Sequence, residues 1–292
     1  MSQPDFTAIL LAGARAGDVD PLAAEAGVAN KSLVPICGAP LIRHVADALA
    51  ATPGISQIRV AAEPAAWPGL QAALSHLTDR TQYVPAADNL ADSVYAAAEG
   101  VSGPMLVTTA DNVLLTPQAA RRIVDAVAGD IDVAVALARQ EAVLAAHPEG
   151  QRRFYRFADG AFSNCNLYAL SGRRALAAAE GFRSGGQFAK KPLRMMMALG
   201  SVNLVLLLMS RLSLQGALRR VSRRFRLVVE PVILADGSQA IDVDNARTYR
   251  CAEALLLQRR ARPTAWAMDM ATDLGRPGLP VLLRQPGCPR LS

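Results

Sequence analysis

The sequence predicts an α/β fold: a mostly parallel mixed sheet flanked by helices, carrying a basic, apolar helical insert. Three observations predict it. Short apolar runs in the first half are separated by helical patterns of about ten to fifteen residues, the spacing of strands joined by crossover helices. The first apolar run breaks into a small-residue loop, Gly13-Ala14-Arg15, and ligands of parallel sheets lie beyond the carboxyl ends of the strands. The chain has 292 residues, 51% apolar and 19% charged, enough for a hydrophobic core without disulfides or a structural metal. We read one domain over residues 1–262, with 183–226 as an insert within it and 263–292 as an irregular tail.

Each element follows from its pattern. Thr7 to Ala12 is a short apolar strand. Pro40 to Ala51 puts Leu41, Ile42, Val45 and Leu49 on one helical face. Gln57 to Ala62 reads as a strand, Trp67 to Leu77 as a helix and Thr81 to Pro85 as a strand. Asn89 can cap a helix running to about Gly100, with Asp92 as its capping-box partner. Met105 to Thr109 is a buried strand leading to Asp111. Thr116-Pro117 opens the next helix, because proline is tolerated at the first position. Ile131 to Ala138, Arg153 to Phe157 and Phe162 to Leu170 read as strands, and Met195 to Ser210 is free of charge. Leu227 to Leu234 and Gln239 to Val243 read as two closing strands, and Ala246 to Arg260 as an amphipathic helix. The tail from Pro263 holds five prolines and three glycines.

Composition excludes several functions. At 5% aromatic, stacking platforms for single-stranded nucleic acid are disfavoured, and no nucleic-acid partner is expected. Cys37, Cys165, Cys251 and Cys288 have no CxxC spacing and no nearby histidine. Neither a zinc site nor a disulfide framework fits, and a reducing cytoplasm does. The N-terminus lacks the basic and apolar regions of a signal peptide. The net charge of +6 is local: residues 183–226 hold ten basic residues and no acidic one, while the rest holds 21 basic and 25 acidic. That favours a local anionic partner.

The chemistry concentrates between Leu11 and Val45. Leu11, Ala12, Gly13 and Ala14 let backbone N–H groups approach a phosphate, and Arg15 and Lys31 can neutralise it. The bland alternative is a strand-to-helix loop with two solvated cations. The loop is neither GxGxxG nor GxxxxGK[ST], so a dinucleotide fold and a P-loop are disfavoured.

Leu11-Ala12-Gly13-Ala14-Arg15, then Lys31-Ser32-Leu33-Val34-Pro35 with Gly38, Pro40 and Leu41, resemble the opening of the MobA-like nucleotidyltransferases. Ala14 stands where a second glycine is commoner, and the stretch between Arg15 and Lys31 is longer than in the smallest members. Met105 to Asn112 resembles the family's strand ending in a magnesium-binding aspartate, Asp111. Gln239 to Asn245 followed by Ala246 to Leu256 resembles its late strand-to-helix turn, where Asp244, with Asp242 as the alternative, would supply the second metal carboxylate. Asn89, Asp92 and Ser93 sit where the family contacts base and ribose. The resemblance implies a glycosyltransferase-A-type, nucleotide-diphospho-sugar-transferase-like fold. It also implies a Mg²⁺-dependent transfer of NMP from an NTP, CTP first and GTP next, to a small phosphorylated acceptor with release of pyrophosphate. Magnesium needs only one or two carboxylates besides substrate phosphate. Asp242 and Asp244 alternate along the expected strand, so only one of them would enter the site.

The insert finds no motif in that family. Met195 to Ser210 reads as a buried helix, slightly short of a membrane span. Leu214, Leu218, Val221 and Phe225 form one stripe, with Arg219, Arg220, Arg223 and Arg224 on the other faces. Three readings are open. The helix can contact an anionic membrane through residues 195–226 at the inner membrane face. It can wall an acceptor pocket with Lys190, Lys191 and Arg194, or it can be a solvated surface helix packed on the core. Two rivals to the whole reading remain: a glycosyltransferase using Asp242-Val243-Asp244 as a DxD motif, and a non-catalytic nucleotide-binding protein.

Overall fold

A computed structural model describes residues 5–14, 20–127, 129–182 and 212–261. Arg15, Lys190, Lys191, Arg194, the Met195–Ser210 stretch and the tail lie outside the described residues. The helices are α1 (Pro21–Glu25), α2 (Leu41–Ala50), α3 (Trp67–Ala73), α4 (Leu90–Ala97), α5 (Pro117–Ala126), α6 (Gln140–Ala146), α7 (Leu214–Phe225) and α8 (Ala246–Ala261). The strands are β1 (Phe6–Leu11), β2 (Pro35–Ile36), β3 (Ala39–Pro40), β4 (Ile55–Ala62), β5 (Thr81–Pro85), β6 (Met105–Thr109), β7 (Val133–Arg139), β8 (Tyr155–Phe157), β9 (Gly160–Leu170) and β10 (Val229–Leu234).

Eight strands form one sheet in the order β10-β7-β9-β6-β1-β4-β5, with β8 paired to β9. The pairs β6-β1, β1-β4, β4-β5 and β10-β7 are parallel, and β9 runs antiparallel between β6 and β7. The fold is therefore the expected mixed, mostly parallel sheet. Helices cover both faces, so the central strands read as apolar runs. Alternation along β1 shows the two layers: Phe6, Ala8 and Leu10 pack with α2, α5 and α8, whereas Ile9 packs with α4 and α7.

Some elements differ from expectation for local reasons. The expected helix through Leu77 ends at Ala73 and continues as a 3₁₀ segment, Ser75–Arg80, kinked at Leu77. Gln239 to Val243 is not a strand. Gly237–Ala240 is a 3₁₀ turn opened by the Asp236 side chain accepting from the Ser238 N–H. A Cβ on Gly237 would stand 2.1 Å from the Ala142 carbonyl carbon. Glycine thus lets this segment press onto α6 instead of pairing with β10. Between β2 and β3, Cys37 and Gly38 both have positive φ, as a two-residue hairpin turn of the primed kind requires.

The stripe of α7 is buried at Leu214 and half-buried at Leu218, Val221 and Phe225. Leu214 packs with Leu137 and Phe162, and Leu218, Val221 and Phe225 lie against the α4 layer. Arg219, Arg223 and Arg224 face solvent. This apolar face packs at least in part against the core. Among the described residues no helix is long and apolar enough to cross a membrane.

Candidate active site

The parallel strands β1 and β6 end side by side, with Leu11 opposite Thr109. Their carboxyl ends deliver Ala12-Gly13-Ala14 and Asp111 to one place. Two residues unforeseen from sequence hold the first loop. The Asn30 amide donates to the Ala12 carbonyl at 3.0 Å, and its oxygen accepts from the Ser32 N–H at 2.7 Å. Glu63, at the end of β4, accepts from the Ala14 N–H at 2.6 Å and from the Asn30 amide at 3.4 Å. A Cβ at Gly13 would stand 3.0 Å from the Ala86 Cβ and 3.3 Å from the Glu63 carboxylate, so the tight seat suits glycine. The available signals were Asn30 directly before the 3₁₀ turn Lys31–Leu33, and an acid where a strand ends at Glu63-Pro64.

Lys31 reaches across to the aspartates. Its Nζ lies 2.7 Å from Asp111 Oδ2 and 3.5 Å from Asp244 Oδ1. Burial alone would depress this lysine, but the charges of Asp111 and Asp244 and the hydrogen bond to Asp111 outweigh it and hold its pKa above the ordinary value. Asp111 is oriented by the Thr109 hydroxyl at 2.6 Å, and its backbone carbonyl accepts from the Val243 N–H at 3.0 Å. That bond ties the late segment to the early one. Asp244 is the most open member, its side chain 68% exposed. Its N–H donates to the Thr248 hydroxyl at 2.9 Å, at the start of α8.

Asp242 corrects the expectation of opposite faces. The Asp244 N–H donates to the Asp242 carbonyl at 3.0 Å, so the chain turns here instead of alternating. Asp242 Oδ2 accepts from the Asn166 amide at 2.5 Å, while Oδ1 is buried without a partner. Asn166 achieves this from a left-handed backbone conformation, φ 47°, inside β9. Asn164 steadies it by donating to the Asn166 side-chain oxygen at 2.8 Å. Burial raises the Asp242 pKa well above the ordinary carboxylate range, and the negative charges of Asp111 and Asp244 raise it further; Lys31 and Asn166 oppose them. Three carboxylates therefore share one electrostatic neighbourhood.

Asn89, Asp92 and Ser93 are brought to the neighbouring loop, since Gly13 sits against Ala86 at the end of β5. They act locally as a cap. Asn89 Oδ1 accepts from the Asp92 N–H at 3.0 Å, and the Ser93 hydroxyl accepts from the Ala87 N–H at 3.0 Å. They shape this loop from within. The donor set at the strand ends consists of hard carboxylate oxygens, one of them the orphaned Asp242 Oδ1. Such oxygens suit magnesium, calcium or manganese better than zinc. Among the described residues no three acidic, histidine or cysteine side chains are arranged to enclose an ion, but magnesium rarely uses an all-protein cage.

Comparisons with known proteins place this arrangement. The sequence matches the MobA-like NTP transferase domain over residues 8–284. A structure titled as a hypothetical transferase from Thermus thermophilus is 29% identical, with a TM-score of 0.69, covering 84% of this chain and 99% of that one. The 4-diphosphocytidyl-2C-methyl-D-erythritol synthase of Anaerococcus prevotii is 11% identical with a TM-score of 0.57, covering 87% and 97%. A CMP:2-keto-3-deoxy-manno-octonic acid synthetase solved with CTP is 14% identical with a TM-score of 0.55, covering 87% and 100%. At such identities these last two show the fold alone. No protein of curated function matches the sequence. A family match that spans nearly the whole chain settles its membership: this chain belongs to the MobA-like NTP transferases and is a nucleotidyltransferase.

Proposed function

We propose that the protein transfers a nucleoside monophosphate from an NTP to a small phosphorylated acceptor, with CTP as the favoured donor and GTP next. The observation that carries this reading is the Lys31 ammonium held between Asp111 and Asp244, at the mouth of the Gly13 loop. A phosphate oxygen of the acceptor forms a bond to the α-phosphorus. The bond from that phosphorus to the α–β bridging oxygen breaks, and pyrophosphate leaves with the electron pair. No covalent enzyme intermediate is needed, so positioning and charge neutralisation supply the rate.

The chain's residues divide that work. The Leu11 to Ala14 loop, held by Asn30 and Glu63, would seat the triphosphate through the Gly13 backbone, since the Ala12 and Ala14 N–H groups already donate to the Ala61 carbonyl and Glu63, and Lys31, joined by Arg15, would neutralise it. The loop shaped by Asn89, Asp92 and Ser93 lies against the Gly13 loop, where a base and ribose would rest. Asp111 and Asp244 would hold Mg²⁺, with Asp242 behind them; when bound, that ion screens phosphate charge. We place the reaction in a reducing cytoplasm, a reading supported by the free thiols of Cys37, Cys165 and Cys251.

The test is a pyrophosphate-release screen of the four NTPs against sugar, polyol and cofactor phosphates, with and without Mg²⁺. Release for one donor–acceptor pair, lost with EDTA, is expected. Release of a nucleoside diphosphate from a nucleotide sugar, with no pyrophosphate from any NTP, would overturn the reading in favour of glycosyl transfer.

A further inference from the structure

We infer that the acceptor enters a basic cleft beside Asp244 and carries two anionic groups, one held by Arg247 and Arg250 and the other by Arg152 and Arg153. The inference rests on the nucleotidyl-transfer reading for the word acceptor, but the cleft and its arginines do not depend on it.

A cavity of about 760 Å³ opens at the start of α8, and Asp244 forms part of its wall. That volume lies within the range of small-molecule sites. Its lining includes four arginines, Arg152, Arg153, Arg247 and Arg250, against two carboxylates, Glu149 and Asp244. Arg152 is paired with Glu149 at 2.7 Å. Among the described residues, no carboxylate lies within ion-pair distance of Arg153, Arg247 or Arg250. Arg247 gives the sharper sign. Its Nη1 is shut off from solvent and has no hydrogen-bond partner, and a buried donor left unpaired is costly until an acceptor reaches it. Guanidinium forks match phosphate and carboxylate oxygens in pairs.

The arginines come from two separate segments. Arg247 and Arg250 are three residues apart on the first turns of α8, so they share a helix side next to Asp244. An anion there also meets the positive end of a 16-residue helix. Arg152 and Arg153 lie between α6 and β8. A ligand with one anionic group would leave one of these pairs facing another cation across the cleft. A ligand with two would neutralise both, with the group near Asp244 placed to react.

The full-length protein is titrated by calorimetry with glycerol 3-phosphate and with fructose 1,6-bisphosphate, probes of one and two phosphates. The bisphosphate should bind about tenfold tighter or more. The double variant Arg152→Gln, Arg153→Gln should erase that advantage, and Arg250→Gln should weaken both probes. All three residues are exposed, so melting temperatures should stay put. A control double variant on α7, Arg219→Gln with Arg223→Gln, removes equal charge and should keep the advantage. Affinity for CTP should be unchanged throughout. Equal binding of the two probes, an advantage that survives loss of Arg152 and Arg153, or its loss in the α7 control overturns the inference. An equal loss of CTP affinity also overturns it, since the cleft would then hold the triphosphate. If the bisphosphate behaves as expected while no NTP yields pyrophosphate, the anion cleft stands and the nucleotidyl-transfer reading falls.

Discussion

At Lys31 burial and charge pull in opposite directions, and charge wins. The lysine stays protonated through neutral pH, and its stabilising contribution is lost only as pH rises past a value above the ordinary 10.5. Asp111 and Asp244 depend on it, so their own replacement is the cleaner probe. Asp111→Asn and Asp244→Asn should each lower turnover about a hundredfold, roughly 3 kcal/mol of transition-state stabilisation, with little change in melting temperature. Steady-state kinetics with unfolding curves checks both halves. Asp242 behaves differently. Its carboxyl is raised by burial, Asp111 and Asp244, so between the unfolded pKa and the raised folded one the native state holds the extra proton. Stability from this group is then greatest at low pH and falls as pH rises through that window. In EDTA, Asp242→Asn should therefore melt no lower than wild type at neutral pH and show a flatter dependence as pH rises from about 4. A variant that melts lower at neutral pH would mean that the buried charge is compensated.

Element boundaries near the site are set by single small or capping residues. Gly237 is pressed onto the α6 backbone, where a Cβ would stand 2.1 Å from the Ala142 carbonyl carbon. Gly237→Ala should cost about 2 kcal/mol or more, read by urea unfolding, because backbone cannot give way as a side chain does. Thr248 works at the opposite end of the same turn. Its hydroxyl accepts from the Asp244 N–H at 2.9 Å and the Asn245 N–H at 3.2 Å, so it fixes both the start of α8 and the backbone of Asp244. Thr248→Ala should lose about 1 kcal/mol of stability and also lower kcat, whereas Thr248→Ser should restore both. A stability loss with kcat intact would confine Thr248 to capping. On α7 the Arg219, Arg223 and Arg224 side chains are exposed, while the stripe is buried at Leu214 and half-buried at Leu218, Val221 and Phe225, so packing on the core accounts for the stripe.

For the whole molecule, substrate should act as a clamp between the early and late halves. Asp111 comes from the first half and Asp244 from the last, joined at the Val243 to Asp111 backbone bond. CTP with Mg²⁺ should raise the melting temperature, by the equivalent of about 2.7 kcal/mol at a hundredfold excess over Kd, and EDTA should cancel most of the gain. A shift that ignores EDTA would separate nucleotide binding from the metal.

The first half was legible from sequence alone because its signals are local. Apolar runs alternating with helical stripes yielded the parallel strands; residue types point to the Gly13 loop with Lys31, and the family resemblance points to Asp111. Strand order was not local. Inserting β9 antiparallel between β6 and β7 depends on which edges are free after the early strands have paired. The relative placement of the late aspartates escaped for the same reason: period-two spacing predicts opposite faces, but Gly237 lets the segment press onto α6 and the Val243 N–H bonds to the Asp111 carbonyl, so the chain turns there. Asn30 and Glu63 hold the Gly13 loop across 18 and 49 residues of chain, and Arg247 meets the arginines near β8 only in the folded cleft. The sequence determined which groups could carry the chemistry. The tertiary structure decided which of them meet, because a carboxylate's pKa and a lysine's partner are set by neighbours that the chain brings together only on folding.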